Sequence, residues 1–222
     1  MDQEFDDRFK SIEGLLYLPW VGRDFAATES KRILIVAESV YSWEPGSQAV
    51  MDIISCPEFA RTVISEHGFF HYIENPWNDI RNSKMGRNLE RMFLGKSPCD
   101  AGERESIWTN VAFHELVQRP LESNGPQHRP SDQDYALGAK VLAELLPILA
   151  PKLVVFLSTD QRKVWRLIGN SGSKITYHEA IGKYQPKSFV LGSIPVVMIR
   201  HPSQYFSWSR WHEFVKPHIG NW

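Results

Sequence analysis

Cysteine is scarce. Cys56 and Cys99 are the only two in 222 residues, and they form no CxxC pair. That excludes a disulfide framework and gives no support to a structural zinc or an iron–sulfur cluster. No apolar run approaches the ~18–20 residues needed to span a bilayer. The start, MDQEFDDRFK, is acidic and polar and does not resemble a signal peptide. A soluble, cytoplasmic protein is expected. The glycine-rich signatures GxGxxG and GxxxxGK[ST] are missing, as is the nucleophile elbow GxSxG, so dinucleotide, P-loop and serine-hydrolase readings lose their usual support. The eight histidines show no HExxH-like spacing. No metal and no cofactor is expected. Repeats and low-complexity stretches are absent too.

What is present is enough to bury a core: 42% of residues are hydrophobic and 12% aromatic, which excludes wholesale disorder. The length fits one domain over 1–222, with 1–17 as an acidic N-terminal extension. Net charge is −1, yet its distribution is uneven. Residues 1–30 carry three Lys/Arg against seven Asp/Glu, and residues 160–222 carry nine against three. A neutral chain with one basic end can still present a local patch to a polyanion. Arg162, Lys163, Lys183, Lys187, Arg200 and Arg210 belong to that end.

Four short apolar runs punctuate the chain: ILIVA (33–37), IWTNVAF (107–113), LVVFL (153–157) and PVVMI (195–199). They are continuous and rich in Val and Ile, as strands covered on both faces of a parallel sheet should be. Between them RPSDQDYALGAKVLAELLPILAP reads as a helix, with Ser131 as N-cap, Asp134 near the first turn and Tyr135, Leu142, Leu145, Leu146 and Leu149 at helical spacing. Further helices are expected near 48–66, 85–95, 160–169 and 206–216. Strands alternating with helices predict an α/β fold, a three-layer α/β/α domain on a short, mainly parallel four-stranded sheet.

Ligands of such sheets bind outside the carboxyl ends of the strands. The first run leads to Glu38-Ser39-Val40-Tyr41. The second carries Asn110 and is followed by His114 and Glu115, the third leads to Ser158-Thr159-Asp160, and the fourth to Arg200-His201-Pro202-Ser203. A carboxylate, an amide and an imidazole are thereby expected to converge on one crevice.

Three blocks in order, AESVY (37–41), WTNVAFHELVQRP (108–120) followed by a helix and LAPKLVVFLS (149–158), and IRHPSQYFSW (199–208), resemble the uracil-DNA glycosylase superfamily. The likeness covers most of residues 18–217 and is weakest over 42–86. It implies a glycosylase fold and a reaction that breaks an N-glycosidic bond. Positive charge then builds on the sugar and negative charge on the departing base, and preorganised dipoles stabilise both. By this resemblance His201 hydrogen-bonds a pyrimidine carbonyl and Asn110 reads the Watson–Crick edge, since an amide offers a donor and an acceptor in one plane. Glu38 occupies the glutamate position of one branch and is the candidate for handling water. Ser39 stands where another branch has its water-activating Asp, and a serine positions water but is a poor general base. Tyr41 matches a tyrosine that crowds the pyrimidine 5-position. The iron–sulfur cysteines of one branch are missing.

Trp43, Phe69 and Phe70 are candidates to stack on a flipped base, unranked by the sequence. Of the loop after HPS, Tyr205 or Phe206 can fill the gap left by an extruded nucleotide. Ser203 fits a phosphate contact, and Arg200 belongs to the backbone-binding set. The reading is a monofunctional, monomeric DNA glycosylase that leaves an abasic site. Its substrate is a non-canonical base, uracil or a 5-modified cytosine such as glucosylated hydroxymethylcytosine in phage DNA. Repair and antiviral defence both fit this superfamily. A catalytically silent DNA-binding module, or an N-glycosidic hydrolase of free nucleosides and nucleotides, remains open as the alternative.

Overall fold

A computed structural model of the chain describes residues 2–27, 29–39, 41–42, 84–119, 121–122, 129–160, 169, 173–203, 205–220 and 222. Within them the elements run in chain order as α1 (Asp6–Phe9), β1 (Trp20–Val21), β2 (Ile33–Ala37), β3 (Tyr41–Ser42), α2 (Lys84–Leu94), α3 (Ala101–Asn110), β4 (Val111–Glu115), β5 (Leu121–Glu122), α4 (Asp132–Leu149), β6 (Leu153–Phe156), β7 (Thr176–Tyr177), β8 (Lys187–Leu191), β9 (Ile194–Met198) and α5 (Trp208–Ile219).

The central sheet has seven strands in the order β1-β4-β2-β6-β9-β8-β7. Its middle is the expected parallel quartet: β2 pairs with both β4 and β6, and β6 with β9. The expectation of four strands is corrected by antiparallel additions at both sides, β1 on β4 and then β8 and β7 beyond β9. Leu191 pairs with Ile194, so Gly192 and Ser193 alone turn the chain from β8 into β9, with Gly192 at a φ of 61°. β3 and β5 form a separate parallel pair, Tyr41 opposite Leu121.

Strand alternation distributes the core onto two faces. Ile33, Ile35 and Ala37 of β2 join Leu153, Val155 and Val197 on one side, packed against Leu89, Met92 and Phe93 of α2, Ile107 and Trp108 of α3, and Trp211, Val215 and Ile219 of α5. Leu34, Val36, Val154, Phe156, Val196 and Met198 face the other way, against Val141, Leu142, Leu145 and Leu149 of α4. Phe5, Phe9 and Ile12 lie in this second cluster, which binds the acidic N-terminal stretch to the α4 layer. Helices on both faces of a mostly parallel sheet give a mixed α/β structure in three layers.

α4 begins as its sequence dictates. The Ser131 hydroxyl accepts from the Asp134 amide, and the Asp134 carboxylate accepts from the Ser131 amide, a reciprocal capping box. The second apolar run is corrected: 107–113 is not one strand. Asp100 and Glu103 form another capping box that starts α3 at Ala101, and the helix continues through Asn110 before β4 starts at Val111. Ile107 and Trp108 are apolar because they are the buried face of a helix. The helices expected at 85–95 and 206–216 correspond to α2 and α5. The helix at 48–66 lies outside the described residues, and so does that at 160–169 apart from its two ends.

Candidate active site

The carboxyl ends of β2, β4, β6 and β9 lie together, and backbone pairing continues past them. Leu116 N–H donates to Ala37 O at 3.0 Å and Val117 N–H to Glu38 O at 2.8 Å. Leu157 N–H reaches Val36 O at 2.8 Å, and Ile199 N–H reaches Phe156 O at 2.9 Å. These bonds hold the four strand-end segments side by side and place their polar residues on one rim.

Glu38 is half-buried on that rim. The Tyr135 hydroxyl, from the first turn of α4, donates to its Oε1 at 2.7 Å. α4 is itself locked to the chain after β4: Arg119 Nε and Nη2 grip Asp134 Oδ1 and Oδ2 at 2.7 and 2.8 Å. That fork, with the Ser131 cap, holds the Asp134 carboxyl down at about 2. Ser39 is committed to the scaffold, its hydroxyl donating to Arg119 O at 3.0 Å. Carboxylate and tyrosine are thus positioned by three interactions that join β2, β4 and α4.

Beside Glu38, β4 ends in two buried titratable residues with opposite perturbations. Glu115 is 7% exposed and its Oε2 has no hydrogen-bond partner. Burial, followed by the charge of Glu38, pushes its carboxyl up to about 8. His114 is 1% exposed, with neither ring nitrogen partnered, and burial pushes it down to about 3. At neutral pH both residues are uncharged. The Tyr17 hydroxyl is buried without a partner, and burial and then Glu115 raise its pKa. Gln118 ties this corner together: its Oε1 accepts from the amides of Leu16 and Tyr17 at 2.9 and 3.1 Å, while its Nε2 donates to Glu115 O. A carboxylate next to a carboxylic acid kept neutral is the arrangement from which acid and base roles are assigned.

On the β9 side, Arg200-His201-Pro202-Ser203 forms a turn anchored by Asn88 of α2, whose Nδ2 donates to Pro202 O at 2.7 Å. His201 is exposed. Its Nδ1 accepts from the Ser203 amide at 3.3 Å and lies 2.9 Å from the Ser203 hydroxyl. An Nδ1 that accepts from an amide leaves the proton of the neutral ring on Nε2. Ser203 therefore orients the imidazole, whatever else it touches. Arg200 Nη1 donates to Tyr205 O at 2.7 Å, and its guanidinium lies 4.0 Å from the Tyr184 ring centroid. Tyr205 is 89% exposed, on backbone with a φ of 47°.

The remaining sequence candidates divide. Asn110 is not at this rim. It ends α3, immediately before Val111, which pairs with the first residue of β2, so it stands at the opposite end of the sheet. Its Nδ2 donates to Ser106 O at 2.9 Å and Thr109 Oγ1 at 3.3 Å. The helix running to residue 110 is what removes it. Phe206 stacks on Trp211 with centroids 5.8 Å apart and packs on the first core cluster, so it anchors the loop that displays Tyr205. Tyr41 is on β3. Trp43, Phe69 and Phe70 lie outside the described residues.

Tyr17, Gln118, Tyr135 and Asn88 were not found from sequence, because no motif marks them and their partners are about a hundred residues away. Glu115 was visible only as a polar residue ending an apolar run. Among the described residues no cluster of three or more His, Cys, Asp or Glu can hold a metal ion, and no helix is long and apolar enough to cross a membrane. No family model and no curated protein matches the chain.

Proposed function

We propose that the protein is a monofunctional DNA glycosylase with a uracil-DNA glycosylase-like fold, acting on a base extruded from DNA into the crevice at the strand ends. The observation that carries this reading is the pairing, on one rim, of a carboxylate held by a tyrosine hydroxyl with an imidazole whose Nε2 carries the donor proton. Cleavage of an N-glycosidic bond is served by those two groups. Glu38 orients water and takes its proton as the water oxygen bonds to C1′. The C1′–N bond breaks with its electron pair leaving on the base, and the Nε2–H of His201 stabilises the charge gathering on a base carbonyl oxygen. Glu115, uncharged at neutral pH, keeps the corner at one negative charge rather than two.

The substrate is a modified pyrimidine in DNA. Tyr205, exposed beside the His201 turn, is a ring open to DNA next to the target. The test is to incubate the protein with uracil-containing, hydroxymethylcytosine-containing and glucosylated phage DNA and to identify released bases by mass spectrometry. Release of one base that is lost in Glu38→Gln and His201→Ala supports the reading and names the substrate. Binding without release from any DNA assigns a silent binding module. Release from nucleosides alone assigns a monomer hydrolase.

A further inference from the structure

Next to the His201 turn lies a cleft of about 410 Å³, closed on one side by the 181–184 turn and on the other by the start of α5. Its walls include Lys183, Tyr184, Arg200, Tyr205, Ser207 and Arg210, and among the described residues no acidic one lines it. Arg200, Lys183 and Arg210 make no ion pair among the described residues, so three positive charges converge here uncompensated. Arg200 is held rigid rather than left to sweep solvent. Its guanidinium lies 4.0 Å from the Tyr184 centroid and 5.7 Å from that of Tyr205, and it is hydrogen-bonded to Tyr205 O. A planar guanidinium fixed between aromatic rings is preorganised to grip phosphate oxygens. α5 adds to the same field. Ser207 makes no side-chain cap bond and the first turn contains no acidic residue, so its amide dipoles are not offset locally.

Charge alone fits any anion; the aromatic wall narrows the class. Tyr205 is 89% exposed, held there by a left-handed backbone at a φ of 47° and by Phe206 stacked below on Trp211. A ring presented this way offers a stacking face to an unpaired base. The volume suits one nucleotide unit rather than a helix. We propose that this cleft is a nucleotide subsite, taking a single-stranded nucleotide that flanks the target. Its phosphate lies against Arg200, Lys183 and Arg210, and its base on the ring of Tyr205. The assignment deepens the glycosylase reading and rests on it for the choice of nucleic acid as ligand. The cleft itself is a feature of the structure independent of any chemistry at Glu38.

The experiment is fluorescence anisotropy of a short labelled oligothymidylate with the full-length protein, in competition with pTpT, dTMP and inorganic phosphate. Lys183→Gln, Arg200→Gln and Tyr205→Asn are compared with wild type; asparagine tolerates the left-handed backbone, so only the ring is removed. Tyr205→Asn is expected to weaken binding roughly tenfold. The two charge variants are expected to weaken it severalfold and to flatten its salt dependence. pTpT should displace the probe at concentrations where inorganic phosphate does not. Wild-type affinity in all three variants overturns the proposal. Equal competition by inorganic phosphate and pTpT reduces the cleft to a bare anion site, and equal competition by dTMP and pTpT makes it a free-nucleotide site; either overturns the flanking-nucleotide assignment. Binding through the cleft with no base released refutes the glycosylase reading and leaves the cleft standing. Base release with the three variants binding like wild type does the reverse.

Discussion

His114 and Glu115 are adjacent, both buried, and shifted in opposite senses, so they should imprint opposing pH dependences on stability. The unfolded chain loses the Glu115 proton near 4.5, whereas the folded chain keeps it to about 8. Folding takes up a proton between those values, and stability falls by about 1.4 kcal/mol per pH unit as pH rises through that window. His114 acts the other way. The unfolded ring protonates below 6.5, while the folded one stays neutral to about 3, so stability falls by a similar slope as pH drops below 6.5. Between pH 4.5 and 6.5 the two slopes cancel. Above 6.5 only Glu115 acts, and its contribution to wild type falls by roughly 2 kcal/mol on going to pH 8. His114→Leu exposes the Glu115 slope throughout, and that variant should gain stability steadily from pH 8 down to 4.5. Glu115→Gln exposes the His114 slope, and stability should fall from pH 6.5 downward. Urea unfolding followed by tryptophan fluorescence reads each slope, and the difference between a variant and wild type at the same pH isolates the replaced group, since every other titrating group, its neighbour included, cancels. If the difference between Glu115→Gln and wild type stays constant from pH 6 to pH 8, Glu115 ionises as an ordinary carboxyl. The neutral acid beside Glu38 would then not exist.

Three further outcomes follow from the same geometry. Tyr135→Phe removes the hydroxyl that holds Glu38; base release should slow roughly tenfold, and urea unfolding should show a loss of about 1.5–3 kcal/mol, the worth of a bond to a charged group. His201→Ala should lower release by two orders of magnitude or so, whereas Asn110→Ala, at the far end of the sheet, should leave it at the wild-type rate; parallel single-turnover assays decide. Gly138 is where α4 crosses the chain after β4, and a Cβ there meets the carbonyl oxygen of Leu116. Gly138→Ala should therefore cost about 1–3 kcal/mol in denaturant unfolding, and it should slow base release as well, because α4 carries Tyr135.

The parallel quartet was legible because strands covered on both faces cannot alternate: ILIVA and LVVF are buried at every position. The same property misled at 107–113, where the buried helical residues Ile107 and Trp108 stand only two residues, Thr109 and Asn110, before a buried strand, and apolar composition alone cannot separate them. The signal that does separate them, Asp100 followed three residues later by Glu103, lies before the run. β8 was missed although LGSI carries a hairpin signal, because KSFVL is only partly covered and reads as mixed polarity. For the site, searching the strand ends found Glu38, His114, Glu115 and His201. It was blind to Tyr17 and Tyr135, whose roles exist only once distant segments meet. It misplaced Asn110 because an error of a few residues in a strand boundary moves a side chain the length of the sheet.

The two outermost strands, β1 and β7, are only two residues long, and this bears on how the molecule behaves in a crowded solution. A long, flat sheet margin offers a template of unpaired amides and carbonyls onto which another chain can add. Here the parallel core is flanked on each side by antiparallel segments that shorten outward, five residues in β8 and two in β7. Lys187 closes off the inner corner of that side, its ammonium turned inward to Thr159 O at 2.7 Å. The fold thus spends its antiparallel strands on tapering the sheet rather than enlarging it. Among the described residues, the apolar core strands that would be most prone to self-association never form its margin.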